Sequence, residues 1–474
     1  MDQLTLTPLS IVLIAIDLAL LVLAVRRPWL ALISLLGGLP FNGILLDVIA
    51  PSVGISSTDT LARLALAGWH DALALGIVIA GAWSAGRTRQ RPTRAVEYLA
   101  GLVLVFGLVA LVKAPGLLVA AYAYRTLYLP VAVMLALLLL ATSRGMPDRA
   151  APRAALAMVV AGLIAAAFAI WQVYAGGYPY LMAHYQVDSR LPAAYTSALV
   201  HQPRAIGTFH SPNEMGAYLV IAGVIALAPG ILPLGRLRPW AGVLLGIGLL
   251  LTFSRSGWVA ATISTLVILA LTGWRPRAAR LQASLVRNLA PIVVFIAASG
   301  LILTTSNGFD FVKATVTGHD PSAGVHLGAL GDLLGGGASS SPSPSGGKPG
   351  GVAIRVTMLG EGLGTAGPKS TRFTGGEPIR HSEIWYVDYI AQVGLVGLFL
   401  TALLVGGLLA ELWRARPRAW PAAATAVLLA LGVGALFIPV IDEPAVAGPL
   451  WAVLGLAMID ARTAHARITL AADA

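Results

Sequence analysis

The sequence predicts an all-α, polytopic membrane protein, and three observations carry that prediction. Charge is scarce: Asp, Glu, Lys and Arg make up 11% of the 474 residues, against about 25% in an ordinary globular domain. Hydrophobic residues make up 57%, and mean hydropathy is +0.81. Apolar runs recur at about the ~20 residues that a helix needs to cross a bilayer. A surface so poor in charge does not keep a chain of this size in water, which excludes a soluble enzyme.

Thirteen apolar runs follow one another, at 9–25, 28–50, 64–85, 97–112, 117–142, 155–175, 213–232, 239–253, 257–273, 289–305, 385–410, 420–441 and 444–460. They predict 12 to 13 transmembrane helices in a single integral membrane domain over 1–474. The first run follows an acidic start and reads as a span, not as a cleavable signal peptide. The runs end at basic clusters in a regular rhythm. If Arg26 and Arg27 face the cytoplasm, strict alternation also places there Arg87 to Arg94, Arg144 to Arg153, Arg236 with Arg238, Arg275 to Arg287, Arg414 to Arg418, and Arg462 with Arg467. These short loops hold 20 of the 32 basic residues, the bias that marks the cytoplasmic side. The formal charge of +11 therefore reports orientation, not nucleic-acid binding.

Two polar segments then face outward, 176–212 and the large loop 306–384. The second contains a tract at about 331–351 in which 15 of the 20 residues from Gly331 to Gly350 are Gly, Ser or Pro. Such a composition does not bury enough apolar area to order itself and reads as a flexible insertion. The chain has no Cys, which excludes disulfides, thiol nucleophiles, Cys-ligated zinc and iron–sulfur clusters.

Chemistry is concentrated in three places. The first outer segment ends in His201-Gln-Pro-Arg204, followed by Gly207-Thr-Phe-His210-Ser211-Pro212-Asn213-Glu214. Ser211, Pro212 and Glu214 form a capping box with proline at the first helical position. A helix starting there points its positive end outward, and with Arg204 beside it the place reads either as an anion site or as a surface arginine next to a well-capped helix. Next, Arg255 interrupts about 35 otherwise apolar residues in Leu251-Thr-Phe-Ser-Arg255-Ser-Gly-Trp258. It reads either as a snorkelling residue at a helix end or as one that faces a partner. Third, Gly360-Glu-Gly-Leu-Gly364 precedes Arg380-His381-Ser-Glu383-Ile-Trp-Tyr386-Val-Asp388, which opens another run. His381 has the ordinary pKa of a general base, or is simply a polar residue at an interface.

Weaker signals lie inside the runs. Asp71 and Arg125 fall at similar depth, ~10–12 Å from the outer surface at 1.5 Å per residue, and an ion pair between them is expected, structural or lining a substrate cavity. Asp17 and Asp47 are too isolated to interpret. The stretch Gly362 to Ser370 is superficially like a phosphate loop, but Pro368 interrupts its Gly-Lys pair and the segment faces away from cytoplasmic nucleotide.

In order and setting, these features resemble the O-antigen ligase and O-antigen polymerase superfamily of bacterial membrane glycosyltransferases. The matching pieces are GTFHSPNEMGAYL at 207–219, LTFSRSGWVAA at 251–261, GEGLG at 360–364 and HSEIWYVDYIAQVGLVGLF at 381–399. They fall in the C-terminal two thirds of the chain; the first five runs match only in general character. The departures are HSEIW in place of the His-Asn of many relatives, the Gly/Ser/Pro insertion, and one run more than is usual.

The resemblance implies a GT-C-like helical enzyme of the bacterial cytoplasmic (inner) membrane, with its site facing outside. It would move glycan from an undecaprenyl-diphosphate donor to an acceptor hydroxyl on a glycan, lipid or protein, without cofactor or metal and without nucleic acid. Arg204 and Arg255 would hold the diphosphate and His381 would act on the acceptor hydroxyl, with His210, Arg380, Glu383 and Arg125 as further substrate contacts. The alternatives are a polymerase of lipid-linked repeat units and, in another class, a transporter or flippase of lipid-linked glycan. A transporter predicts paired inverted halves, and the sequence shows no such symmetry.

Overall fold

A computed structural model describes residues 7–55, 60–88, 94–176, 204–271, 278–305, 309–310, 312–313, 356–367, 384–437 and 440–472. Every regular element among them is helical: α1 (Pro8–Arg26), α2 (Pro28–Ser52), α3 (Thr60–Thr88), α4 (Ala95–Val112), α5 (Leu117–Leu127), α6 (Leu129–Arg144), α7 (Ala150–Tyr174), α8 (Pro212–Leu227), α9 (Arg238–Leu251), α10 (Arg255–Leu271), α11 (Ala278–Thr305), α12 (Trp385–Arg414), α13 (Ala419–Gly434) and α14 (Pro444–Ala472). Seven are long and apolar enough to cross a membrane, or eight if the bent pair α5 and α6 is one span. The chain is thus a multi-pass helical membrane protein. Each of the thirteen apolar runs is helical over most of its described residues, but α8, α9, α10, α13 and the apolar part of α11 have 14 to 17 residues. These fall short of the ~20 of a straight span, so among the described residues seven or eight helices have the length of a span where the sequence predicts 12 to 13.

Two runs expected to be continuous are broken. At Tyr128 the axes of α5 and α6 meet at 47°. Pro130, in the first turn of α6, has no N–H to return to the preceding turn, so the chain restarts instead of continuing. In α12 the break is at Gly394, with φ 69° and ψ −172°. The segment 357–363 fills it: Glu361 and Gly362 donate to the carbonyls of Ala391 and Gln392 at 2.9 and 3.1 Å, while Leu395 and Val396 donate to Thr357 and Met358, both at 3.0 Å. Backbone groups freed inside an apolar bundle are costly unless paired, and here one loop pairs both sides of the interruption. A Cβ on Gly360 would lie 2.2 Å from the Gln392 oxygen, so the Gly-Glu-Gly-Leu-Gly spacing serves close backbone approach. Lys113 fastens the same loop by donating to Gly360 O at 2.6 Å.

Small residues bring the helices together, as packing in a bilayer favours. A Cβ on Gly76 would meet Ala24 at 2.4 Å, joining α3 to α1, and one on Gly81 would meet Ala136 at 2.7 Å, joining α3 to α6. Helix ends that alternation assigns to one side meet in space. At the basic end Arg462 of α14 binds Glu97 of α4 at 2.5 Å, Arg94 binds Glu411 of α12 at 3.5 Å, and Arg418 at the start of α13 donates to Asp460 O of α14 at 2.6 Å. The opposite end gathers the C-terminal part of α2 and the starts of α3, α5, α8, α10, α12 and α14.

Candidate active site

The segment 204–211 is the hub of that opposite end. Buried Gln172 of α7 accepts from the N–H groups of Ile206 and Gly207 at 3.2 and 2.9 Å and donates to Gly207 O at 3.2 Å. Ala205 donates to Leu251 O of α9, and Thr208 O accepts from Ile44 of α2, at 2.9 and 3.2 Å. Gly207 has φ 57°, and a Cβ there would meet Ala165 O at 2.9 Å, so this turn requires glycine.

This stitching fixes Arg204, which donates from Nε to Thr252 O at 2.9 Å and from Nη2 to Asn213 Oδ1 at 2.6 Å. Among the described residues both partners are neutral. Arg255 stands close by at the first position of α10, and burial together with its like charge pushes the Arg204 guanidinium down to about 10, so it stays protonated near neutrality.

Each arginine also stands at a helix start capped by serine. Ser211 Oγ accepts from Glu214 N at 3.2 Å, and Ser254 Oγ accepts from Gly257 N at 3.3 Å. The expected reciprocal bond of the first cap is displaced by one residue, because Glu214 Oε2 takes the His210 N–H at 3.2 Å. The turn into α10 carries strain: Phe253 has φ 47°, uncommon for a residue with a side chain, and buries its ring near Trp258. Two guanidinium groups and two positive helix ends therefore converge on one place.

On the other side of the α8 start lies a cavity of about 450 Å³, lined in part by Asn42, Arg63, Tyr122, Arg125, His210, Ser211, Glu214 and Glu443. His210 Nδ1 is 2.8 Å from Asp47 Oδ2, and its Nε2 is 3.4 Å from Asn42 Nδ2. Trp69 Nε1 occupies the Asn42 oxygen at 3.4 Å, which leaves the amide NH₂ to face the ring. The neutral tautomer that suits both contacts has Nδ1–H donating to Asp47 and Nε2 accepting from Asn42. Asp47 reaches this place from a π-helical turn, Leu45–Ile49, which inserts an extra residue into the α2 register. Arg125 binds Asp71 at 2.8 Å, as expected, and Asp71 is also 3.1 Å from the buried His70 ring.

Of the residues singled out from sequence, Arg204 and Arg255 are brought together, and His210 and Arg125 share the adjacent cavity. His381, Arg380 and Glu383 lie outside the described residues, as do residues 177–203 of the first outer segment and the tract at 331–351. Sequence reasoning passed over Gln172, Asn42, Arg63 and Glu443, and set Asp47 aside as isolated. A polar residue inside an apolar run was the one signal available for Gln172 and Asp47. In comparisons with known proteins, the chain matches no family model, no curated protein and no solved structure.

Proposed function

We propose that the protein is a membrane glycosyltransferase of the O-antigen ligase type, moving glycan from an undecaprenyl-diphosphate donor to an acceptor hydroxyl on the outer face of a bacterial cytoplasmic membrane. The observation that supports this most is the Arg204–Arg255 pair at two serine-capped helix starts. Cleaving a sugar–diphosphate bond leaves a polyanion on the lipid. Fixed guanidinium groups and helix ends stabilise that charge as it develops, and neither needs to reorganise when the bond breaks. In this reading His381 takes the proton of the acceptor hydroxyl, and the lipid tail accounts for a site set among apolar helices.

The interrupted helices favour a second reading, transport or flipping of the lipid-linked glycan, since transporters bind substrate at such breaks. Against it, the Gly394 break is filled by the chain's own loop. Purified protein supplied with lipid-linked oligosaccharide separates the readings. Glycan joined to a new acceptor is the expected result; longer glycan on the same lipid carrier marks a polymerase, and movement with no bond formed marks a transporter.

A further inference from the structure

The 450 Å³ cavity beside the arginine pair has a different chemistry from the pair itself. Its volume is that of a small-ligand site, within the range of about 300–1,000 Å³. Among the described residues its charged lining balances, with Arg63 and Arg125 set against Glu214 and Glu443. These charges are also engaged locally. Arg125 holds Asp71 at 2.8 Å, Arg63 lies 3.8 Å from Asp47, and Glu214 accepts the His210 N–H at 3.2 Å. A diphosphate entering here would meet two carboxylates and gain little from arginines that already have anionic partners. What the wall offers is hydrogen bonding: carboxylate and imidazole acceptors, guanidinium and amide donors, and the hydroxyls of Ser211 and Tyr122.

We infer that this cavity binds a neutral, hydroxyl-rich ligand, the sugar that carries the acceptor hydroxyl, with one of its hydroxyls taking the place of the long 3.4 Å Asn42 contact at Nε2 of the Asp47–His210 pair. A hydroxyl both donates and accepts, so it satisfies a wall of mixed donors and acceptors without burying a new charge. The site's position fits this role. Asn213 holds Arg204 and the next residue, Glu214, lines the cavity, so donor phosphate and acceptor sugar would meet across one turn of α8. Only the word acceptor rests on the transferase reading; the binding of a neutral saccharide stands apart from it.

The test uses the full chain in lipid nanodiscs and diethyl pyrocarbonate, which acylates neutral imidazole, with modification of each histidine followed by peptide mass spectrometry. His210 is expected to react, and Asp47→Asn to slow it by releasing the tautomer. Saturating glucose, galactose, N-acetylglucosamine and rhamnose are tried singly, and at least one is expected to protect His210 about tenfold, as a site nine-tenths occupied would. Glycine and inorganic pyrophosphate are expected to protect much less. Glu443→Gln, a nearly isosteric change, should remove most of the protection while His210 still reacts, and Arg204→Ala should leave it in place. The inference is overturned if His210 is inert, if no sugar protects it, or if pyrophosphate or glycine protects it better than every sugar. Donor binding by the Arg204 and Arg255 variants is read separately, so the transferase reading can fail while saccharide protection survives.

Discussion

The basic end of the helical bundle and the meeting point of the α8 and α10 starts hold arginine in different ways. At the basic end guanidinium groups close ion pairs between helices: Arg462 on Glu97 and Glu411, Arg94 on Glu411, Arg418 on Asp460. At the other end Arg204 is held by a backbone carbonyl and an amide oxygen, with a second arginine beside it. The first arrangement ties α4, α12, α13 and α14 together and leaves little field for a ligand. The second concentrates positive charge where two helices begin. Arginine thus fastens helices where it meets a carboxylate, as Arg125 also does on Asp71, while Arg204 meets only neutral oxygens among the described residues.

The comparison is broken outright if the ends face the wrong way. With no native Cys, single cysteines report exposure cleanly. Val53, 58% exposed at the site end, and Arg416, exposed at the basic end, are suitable positions. In intact cells an impermeant maleimide should label Val53→Cys and spare Arg416→Cys. The reverse pattern would turn the site toward the cytoplasm and remove the extracytoplasmic donor from the proposal.

The next largest effects separate roles within the site. His381→Ala should lower single-turnover transfer by about 10²–10⁴-fold with donor affinity intact, as removal of a general base does. Arg204→Ala and Arg255→Ala should weaken donor binding itself by roughly 1.5–3 kcal/mol each, the range of a charge-assisted hydrogen bond. Arg255→Lys should recover only part of that, because an ammonium keeps the charge and loses the planar two-pronged contact. If His381→Ala turns over normally, the Asp47–His210 pair is the next candidate base. Arginine variants that bind donor normally would place the diphosphate elsewhere.

At the basic end the same kind of substitution should read out in stability instead. Arg462→Ala leaves Glu97, only 5% exposed, without its 2.5 Å partner. Breaking a buried pair from one side costs about 3–5 kcal/mol, and denaturant titration in detergent measures it. Transfer per folded molecule should not change. A loss of donor affinity in this variant would show that the two ends are coupled and that fastening is not all the pair does.

The sequence made the helical class and the rhythm of the bundle legible, since each rests on local signals: apolar length and basic loop ends. Arg204 and Arg255 each stood out by local signals, but only the family resemblance put them in one site. Depth alone matched Asp71 to Arg125. What it did not show depends on long-range backbone geometry. The break at Gly394 exists because residues 357–363 arrive from a distant part of the chain to fill it, and a glycine within an apolar run carries no sign of that visitor. Asp47 looked isolated because its partner His210 is 163 positions away and because a π-turn, not the ordinary helical register, aims it. Gln172 looked like an incidental polar residue, yet it is the clamp on the loop that positions both halves of the site.

The smallest expected effect sharpens the part of the comparison that concerns helix ends. Ser211→Ala and Ser254→Ala each remove one cap acceptor, and each should reduce stability by about 1 kcal/mol, with glycine at the same position milder by most of that amount. Their effects on ligands should diverge. Arg255 occupies the first turn that Ser254 caps, so loosening that turn should weaken donor binding. Ser211 caps the turn that holds both Asn213 and Glu214, so its loss should disturb Arg204 and the adjacent cavity together. The measurement is donor affinity and saccharide protection of His210 for both variants, beside their unfolding curves. Should both caps lower stability by the expected amount while donor affinity stays unchanged, the helix ends serve only to build the site. The attraction for phosphate would then reside in the two guanidinium groups alone.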